Sequence, residues 1–433
     1  AVTTGSTLTA VAGNGYPIDT TSNACTITLP ASASNGDEII FTDYARNWAT
    51  NGIVIDSNGL NYQGDDDTFT VEYTTDGQSV QIVYSDATNG WIPISDDVVA
   101  DTPSKGNQNG LFGYGEGSGL VSVTNVVSDS GVVASDTSGV GTARANPGGT
   151  EYGGDKGIFA YGYASSGNVA TSNLVSNSGV VASDVSGVGT VRNATAACRY
   201  GGDKGIFAHG SAGNMSNLVS NSGVVASDTT GVGTTRTQLA ACEYGDDKGI
   251  FGYGSTGSVS SLTNLISNVG VMASDVTGVG TARTDIRACG YGYDKGIFGY
   301  GYTTSDVSMT NLVSNSGVVA TDTSGVGTAR SKLKACGYGF DKGIFAYGDT
   351  GSISSLSNLV SNSGVVASDT SGVGTARKEL AATQYGGDKG IFGYGSTANR
   401  VSLSNLVNNS GVIASDVTGV GTARRHLAAC SYN

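Results

Sequence analysis

The chain has 433 residues, 38% of them apolar and 13% charged, with 68 glycines, 5 prolines and a net charge of −14. Glycine stands at about twice its ordinary share of roughly 7% without a Gly-x-y period, which excludes collagen, and no apolar run approaches the roughly 20 residues of a membrane-spanning helix. Thirteen acids and a single base, Arg46, fall in the first hundred residues while the remainder is nearly balanced, so no basic stripe exists for nucleic acid or an anionic membrane. No signal peptide is read, and the start at Ala1 rather than Met reads as processing or as a piece of a longer chain.

Residues 1–100 alternate apolar and polar side chains at 24–29, 38–41, 53–55, 69–73 and 80–84, with Asn-Gly and Asp-Gly turns between several of them. This predicts short strands in a small, acidic, sandwich-like all-β module. Asp65-Asp66-Asp67 is a candidate Ca²⁺ cluster, but no EF-hand spacing follows, and the run reads as a solvated acidic turn. Residues 96–103 read as a linker, and 101–109 lead into the next region.

From residue 110 to 433 the sequence repeats seven times. One segment, TNLVSNSGVVATDTSGVGTAR at 310–330, ends on an arginine in every copy: Arg144, Arg192, Arg236, Arg283, Arg330, Arg377 and Arg424. The other, KGIFGYG, carries Phe112, Phe159, Phe207, Phe251, Phe298, Phe345 and Phe392. A period near 47 with four apolar β segments per copy predicts the blades of a seven-bladed β-propeller. In the sixth copy the strands are read at 333–339 (a), 342–348 (b), 355–362 (c) and 364–369 (d). The repeat opens on strand b and closes on a lone strand a at 424–433, so the last strand is expected to complete the first blade and remove the open edge.

Little in this sequence can carry catalysis. Histidine occurs at His209 and His426 only, and His209 stands where other copies have the tyrosine of GYG. Cys198, Cys242, Cys289, Cys336 and Cys430 share one position in strand a, with Thr150 and Thr383 in the other copies, as expected of a small buried slot; they lack CxxC spacing, so no metal or cofactor is expected. Asp136, Asp184, Asp228, Asp275, Asp322, Asp369 and Asp416 each lie eight residues before an arginine. A catalytic carboxylate pair needs two distinct environments, and sevenfold repetition implies a turn-capping aspartate that also pairs with its arginine. Gly-Val-Gly-Thr lacks the Lys and following helix of a phosphate loop. Sequons at Asn193, Asn214 and Asn408 matter only in a eukaryotic host.

The order Arg330, inner strand to Gly339, Ile344-Phe345, Gly348 and Asp369 resembles the kelch repeat, although the kelch tryptophan is missing and the glycine pair is Gly-x-Gly. The wording DKGIFGYG with NLVSNSGVVASDTSGVGTAR is similar to repeats of bacteriophage tail-fibre and appendage proteins. ACTITLPASASNGDEIIFTDYARNWATNGIVID with DGQSVQIVYSDATNGW, within residues 16–92, resembles a second phage-fibre module. The resemblance implies a virion-surface fibre assembled in the host cytoplasm. Its N-terminal module would be a stalk, often trimeric, joined to other virion proteins, with the propeller at the tip meeting bacterial surface polysaccharide or lipopolysaccharide.

Comparison of the seven copies finds most variation in the b–c loops and in the three residues after each arginine. In a four-stranded blade these segments share one face, and variable loops on a rigid scaffold carry function. Tyr163, Tyr302, Asp306, Asp349 and Arg400 are the candidate glycan-binding residues there. Three readings stay open at this point: a non-catalytic receptor-binding fibre protein, a purely structural appendage or capsid decoration, and a glycan-degrading enzyme.

Overall fold

The computed structural model describes residues 1–64, 71–97, 106–229, 231 and 233–433. The Asp65-Asp66-Asp67 turn and most of the 96–103 linker lie outside them. The described residues form strands and no helix, so the protein is all-β, and the chain divides into two compact units, Ala1–Ser104 and Lys105–Asn433.

The first unit has eight strands: β1 (Thr7–Thr9), β2 (Gly15–Ile18), β3 (Cys25–Thr28), β4 (Glu38–Asp43), β5 (Ile53–Asp56), β6 (Val71–Tyr73), β7 (Ser79–Asp86) and β8 (Gly90–Ser95). They form two four-stranded sheets, ordered β1-β3-β5-β6 and β2-β4-β7-β8. The period-two alternation turns Ile27, Ile53 and Ile55 of one sheet and Ile39, Phe41, Val80 and Ile82 of the other into one core, closed by Trp48 and Trp91. The strands expected from the sequence are present, with residues 69 and 70 of the one expected at 69–73 lying outside the described residues. Their parallel pairing, β1 with β3, β3 with β5 and β2 with β4, has no local sequence signal and was not foreseen.

Among the described residues the second unit holds seven repeated three-stranded antiparallel sheets, numbered by their middle strands, and one small three-stranded sheet of Arg144–Ala145, Tyr163–Ala164 and Gly167–Asn168. In the sixth, the middle strand Lys342–Ala346 pairs with an inner strand, Lys334–Tyr338, and an outer strand, Ser357–Val360. In the first sheet the middle strand Asn109–Gly113 takes Thr124–Val127 on one side and Ala428–Tyr432, from the far end of the chain, on the other. Each inner strand also lies beside the next, from Gly148–Tyr152 onward, and Ala428–Tyr432 lies beside both Ala381–Tyr385 and Gly148–Tyr152.

The expected fourth strand differs. Val366 bridges Val360 and Thr370 bridges Ser357, so four steps on one segment oppose three on the other. The extra residue is a bulge that breaks the ladder into isolated bridges, and the same pattern recurs in every copy.

Strand-to-strand proximity explains the small residues. A Cβ on Gly343 would sit 2.5 Å from the Cys289 sulfur of the preceding sheet and 3.1 Å from the Gly290 carbonyl oxygen. All six cysteines are free and buried, and burial pushes the Cys289 thiol up to about 12, so it is no thiolate. Gly343→Val should therefore cost about 1–3 kcal/mol by overpacking, whereas Cys336→Thr, which copies the residue of two sister repeats, should cost under about 1 kcal/mol. Urea unfolding followed by circular dichroism measures both.

Candidate functional site

The seven arginines are fully buried rather than displayed around a rim. The Arg330 guanidinium donates to Thr328 O at 3.1 Å, to Phe345 O at 3.3 Å and to the Asn358 side-chain oxygen. It also stacks 4.3 Å from the centre of the Tyr300 ring, which belongs to the preceding sheet. That tyrosine, the middle residue of GYG, holds φ = 60°, a left-handed conformation costly for a bulky residue, as do its six counterparts. Stacking under the guanidinium supplies the compensation.

The aspartates need a correction. Six of the seven pair not with the arginine eight residues later but with that of the preceding copy, and the seventh, Asp275, accepts from Thr234 of the preceding copy. Asp369 lies 3.6 Å from Arg330, and accepts from the Thr328 backbone N–H at 2.9 Å and its hydroxyl at 2.7 Å. Nor does it cap its own turn. It ties one sheet to the next, and Asp136 ties the first repeat to Thr422 in the same way. Partial burial pushes the Asp369 carboxyl up, but hydrogen bonds from Thr328 and Asn358 outweigh it and hold the group below the usual carboxylate range.

The buried clasp orients the two residues after each arginine. The first pairs with its own sheet's b–c loop: Ala145 with Tyr163, Thr284 with Tyr302, Ser331 with Asp349, Lys378 with Ser396 and Arg425 with Glu116. The two variable segments therefore do share one side of each sheet. The second residue is left-handed in every copy: Asn146, Ala194, Gln238, Asp285, Lys332, Glu379 and His426, with φ between 51° and 59°. Glycine would hold this conformation at no steric cost, yet none of the seven is glycine and no two are alike. All seven line one cavity of about 640 Å³, whose wall is otherwise mostly small and apolar residues at the start of the inner strands.

The charges around it are unevenly distributed. Glu379 accepts from Arg425 at 3.0 Å and lies 3.6 Å from the His426 ring, which is 3.5 Å from Glu116. Glu116 in turn pairs with Arg400. The His426 contact, with Ser396 and Arg425, holds the Glu379 carboxyl down to about 2. Arg287 and Lys334 stand at the start of adjacent inner strands in the same wall.

The five candidate residues fall in four separate b–c loops. Tyr163 and Tyr302 are exposed, and Asp306 bridges Tyr302 in one loop. Asp349 is held by Lys378 at 2.5 Å and Arg400 by Glu116, which leaves both less available than their sequence suggests. Sequence reasoning passed over the left-handed ring, although it flagged the variable stretch after each arginine. It also passed over Tyr293 and Phe340. These exposed aromatics have φ = 67° in the a–b turns of sheets five and six, where sheets two, three and seven have glycine.

No protein-family model matches the chain, and no curated protein is detectably similar to it.

Proposed function

We propose that residues 105–433 form a closed, kelch-like seven-bladed β-propeller that binds a host-surface glycan without catalysis, as the receptor-binding part of a phage fibre or appendage. Closure is supported by the pairing of Ala428–Tyr432 with Asn109–Gly113 and by the unbroken circuit of neighbouring inner strands. The observation that carries the binding reading is the ring of seven unlike, left-handed side chains around one cavity. Near-identical repeats that retain seven different side chains at a strained position point to selection for what those side chains touch. A wide, polar-rimmed cavity flanked by exposed tyrosines suits a hydrated sugar.

Asp285 and Glu379 are two unlike carboxylates in the cavity, the feature a glycosidase would need. Glu379 is ionised far below neutral pH and held by Arg425, His426 and Ser396, which makes it a poor general acid. The structural-appendage reading draws on a different feature. Val132, Val180, Val224, Val271, Val318, Val365 and Val412 are each roughly two-thirds exposed, one per repeat, as a packing contact would require.

The test is fluorescently labelled full-length chain presented to a panel of bacterial strains and their extracted glycans. Strain-selective binding, competed by a purified glycan that is not shortened, is the expected result. Folded, monodisperse protein that binds no strain would leave the structural appendage.

A further inference from the structure

We propose that the cavity wall between sheets five and six is an oxyanion subsite, formed by Arg287 and Lys334, that takes the negatively charged group of an acidic sugar. This rests on the glycan-binding reading and narrows it to a substrate class, sugars bearing a carboxylate or a phosphate.

The position is the first residue of the inner strand. In the other five repeats it is Gly148, Ala196, Ala240, Ala381 and Ala428, as crowding where the inner strands meet demands. Only in two adjacent repeats does a long cation replace the small residue, and both line the cavity. The Arg287 guanidinium is aimed across to the neighbouring strand: its Nε donates to Leu333 O at 3.0 Å, one residue from Lys334, and its Nη1 donates to Ile286 O at 2.6 Å. Its hydrogen bonds thus go to neutral carbonyls, which fix its direction without neutralising its charge. Among the described residues neither Arg287 nor Lys334 has a carboxylate within ion-pair distance.

The acids nearby are committed elsewhere. Glu379 is held by Arg425, His426 and Ser396. Asp285 accepts from Gln238 at 3.4 Å, and its charge partly offsets the burial of Arg287 without an ion-pair contact. Lys332 adds a third cation to the cavity rim. Two half-buried like charges side by side oppose folding, and burial together with the Arg287 charge pushes the Lys334 ammonium down to about 7. An oxyanion placed between them would accept from both cations, a fork and a point donor together, and reverse that repulsion. A neutral sugar could not.

The experiment uses the full-length chain with ¹³C-methylated lysines, titrated by NMR with glucuronate, glucose 6-phosphate or glucose. One of the two acids should shift the Lys334 resonance and raise its pKa by about one unit or more, with proton uptake seen calorimetrically at pH 8, while glucose should do neither. Which acid acts separates carboxylate from phosphate. Lys334→Met and Arg287→Met should each weaken binding at least about tenfold, whereas Lys156→Met, at the start of the middle strand of sheet two beside the a–b turn, should not. Lys334 unmoved by both acids, or acid and neutral sugar binding alike, overturns the subsite. Because Lys334 is read in the unsubstituted protein, a misfolded variant does not decide the matter. Strain-selective cell binding that survives Lys334→Met would refute the subsite and leave the glycan reading standing.

Discussion

Replacing Arg330 with methionine should lower the unfolding free energy of the second unit by about 3–5 kcal/mol, the usual cost of removing one partner from a buried charged network. Methionine fills much of the volume but donates nothing. Thr328 O, Phe345 O and the Asn358 oxygen lose their donor, and the Tyr300 ring, held at φ = 60°, loses the cation it stacks beneath. Lysine should rescue only part of the loss, because an ammonium cannot reproduce the planar fork. Both tryptophans lie in the first unit, so tryptophan fluorescence supplies an internal control. The far-UV dichroism transition should move to lower urea while the fluorescence transition stays in place. By contrast, removal of the rim pair Lys378–Asp349 should cost about 1 kcal/mol or less. If Arg330→Met costs no more than that, the buried arginines are not what joins the sheets.

The second large effect is acid lability in two stages. His209 stands where six repeats have tyrosine; it is fully buried and its Nε2 lies 3.3 Å from the Arg236 guanidinium. Burial, then the Arg236 charge, then that of Arg192, outweigh the attraction of Asp275 and hold the imidazole down to about 3. A base whose folded pKa is depressed contributes stability that is present above its unfolded value, near 6.5, and lost as pH falls toward 3. At pH 5 the loss should be about 2 kcal/mol. The seven clasp aspartates follow at lower pH. Their folded pKa values are also depressed, so their contribution is present above about 4 and lost as pH falls further. His209→Tyr should add about 0.5–1 kcal/mol at pH 7 by restoring the stack, and markedly more at pH 5. Urea unfolding at both pH values reads the difference. An equal gain at both would mean that folding does not depress the His209 pKa.

The repeat, its middle strand and the pairing of the final strand with the first sheet were legible because glycine, β-branched and aromatic residues recur at fixed spacing. The shared side of the b–c loops and post-arginine residues was legible for the same reason. What escaped has physical causes. The partner of each aspartate lies in the preceding copy, and in a perfect repeat the right and the wrong arginine are the same letter. The bulge in the fourth segment needs a count of bridges on two strands, which apolar patterning does not carry. The left-handed ring was hidden because φ > 0 usually announces itself through Gly or Asn, whereas here Ala, Gln, Asp, Lys, Glu and His fill six of the seven places. A long cation at the Arg287 and Lys334 positions was visible as a departure from Ala or Gly, but only the structure turns it into a wall of the cavity.

The joining of Asn109–Gly113 to Ala428–Tyr432 has a consequence for biosynthesis. A ribosome adding about 5–20 residues per second needs roughly 15–60 s to travel from one partner to the other. Throughout that interval the first sheet carries an unpaired edge, the kind of surface that recruits strands from other chains. A polypeptide cut short near its end would keep that edge permanently, so premature termination should produce aggregates rather than a slightly smaller folded protein.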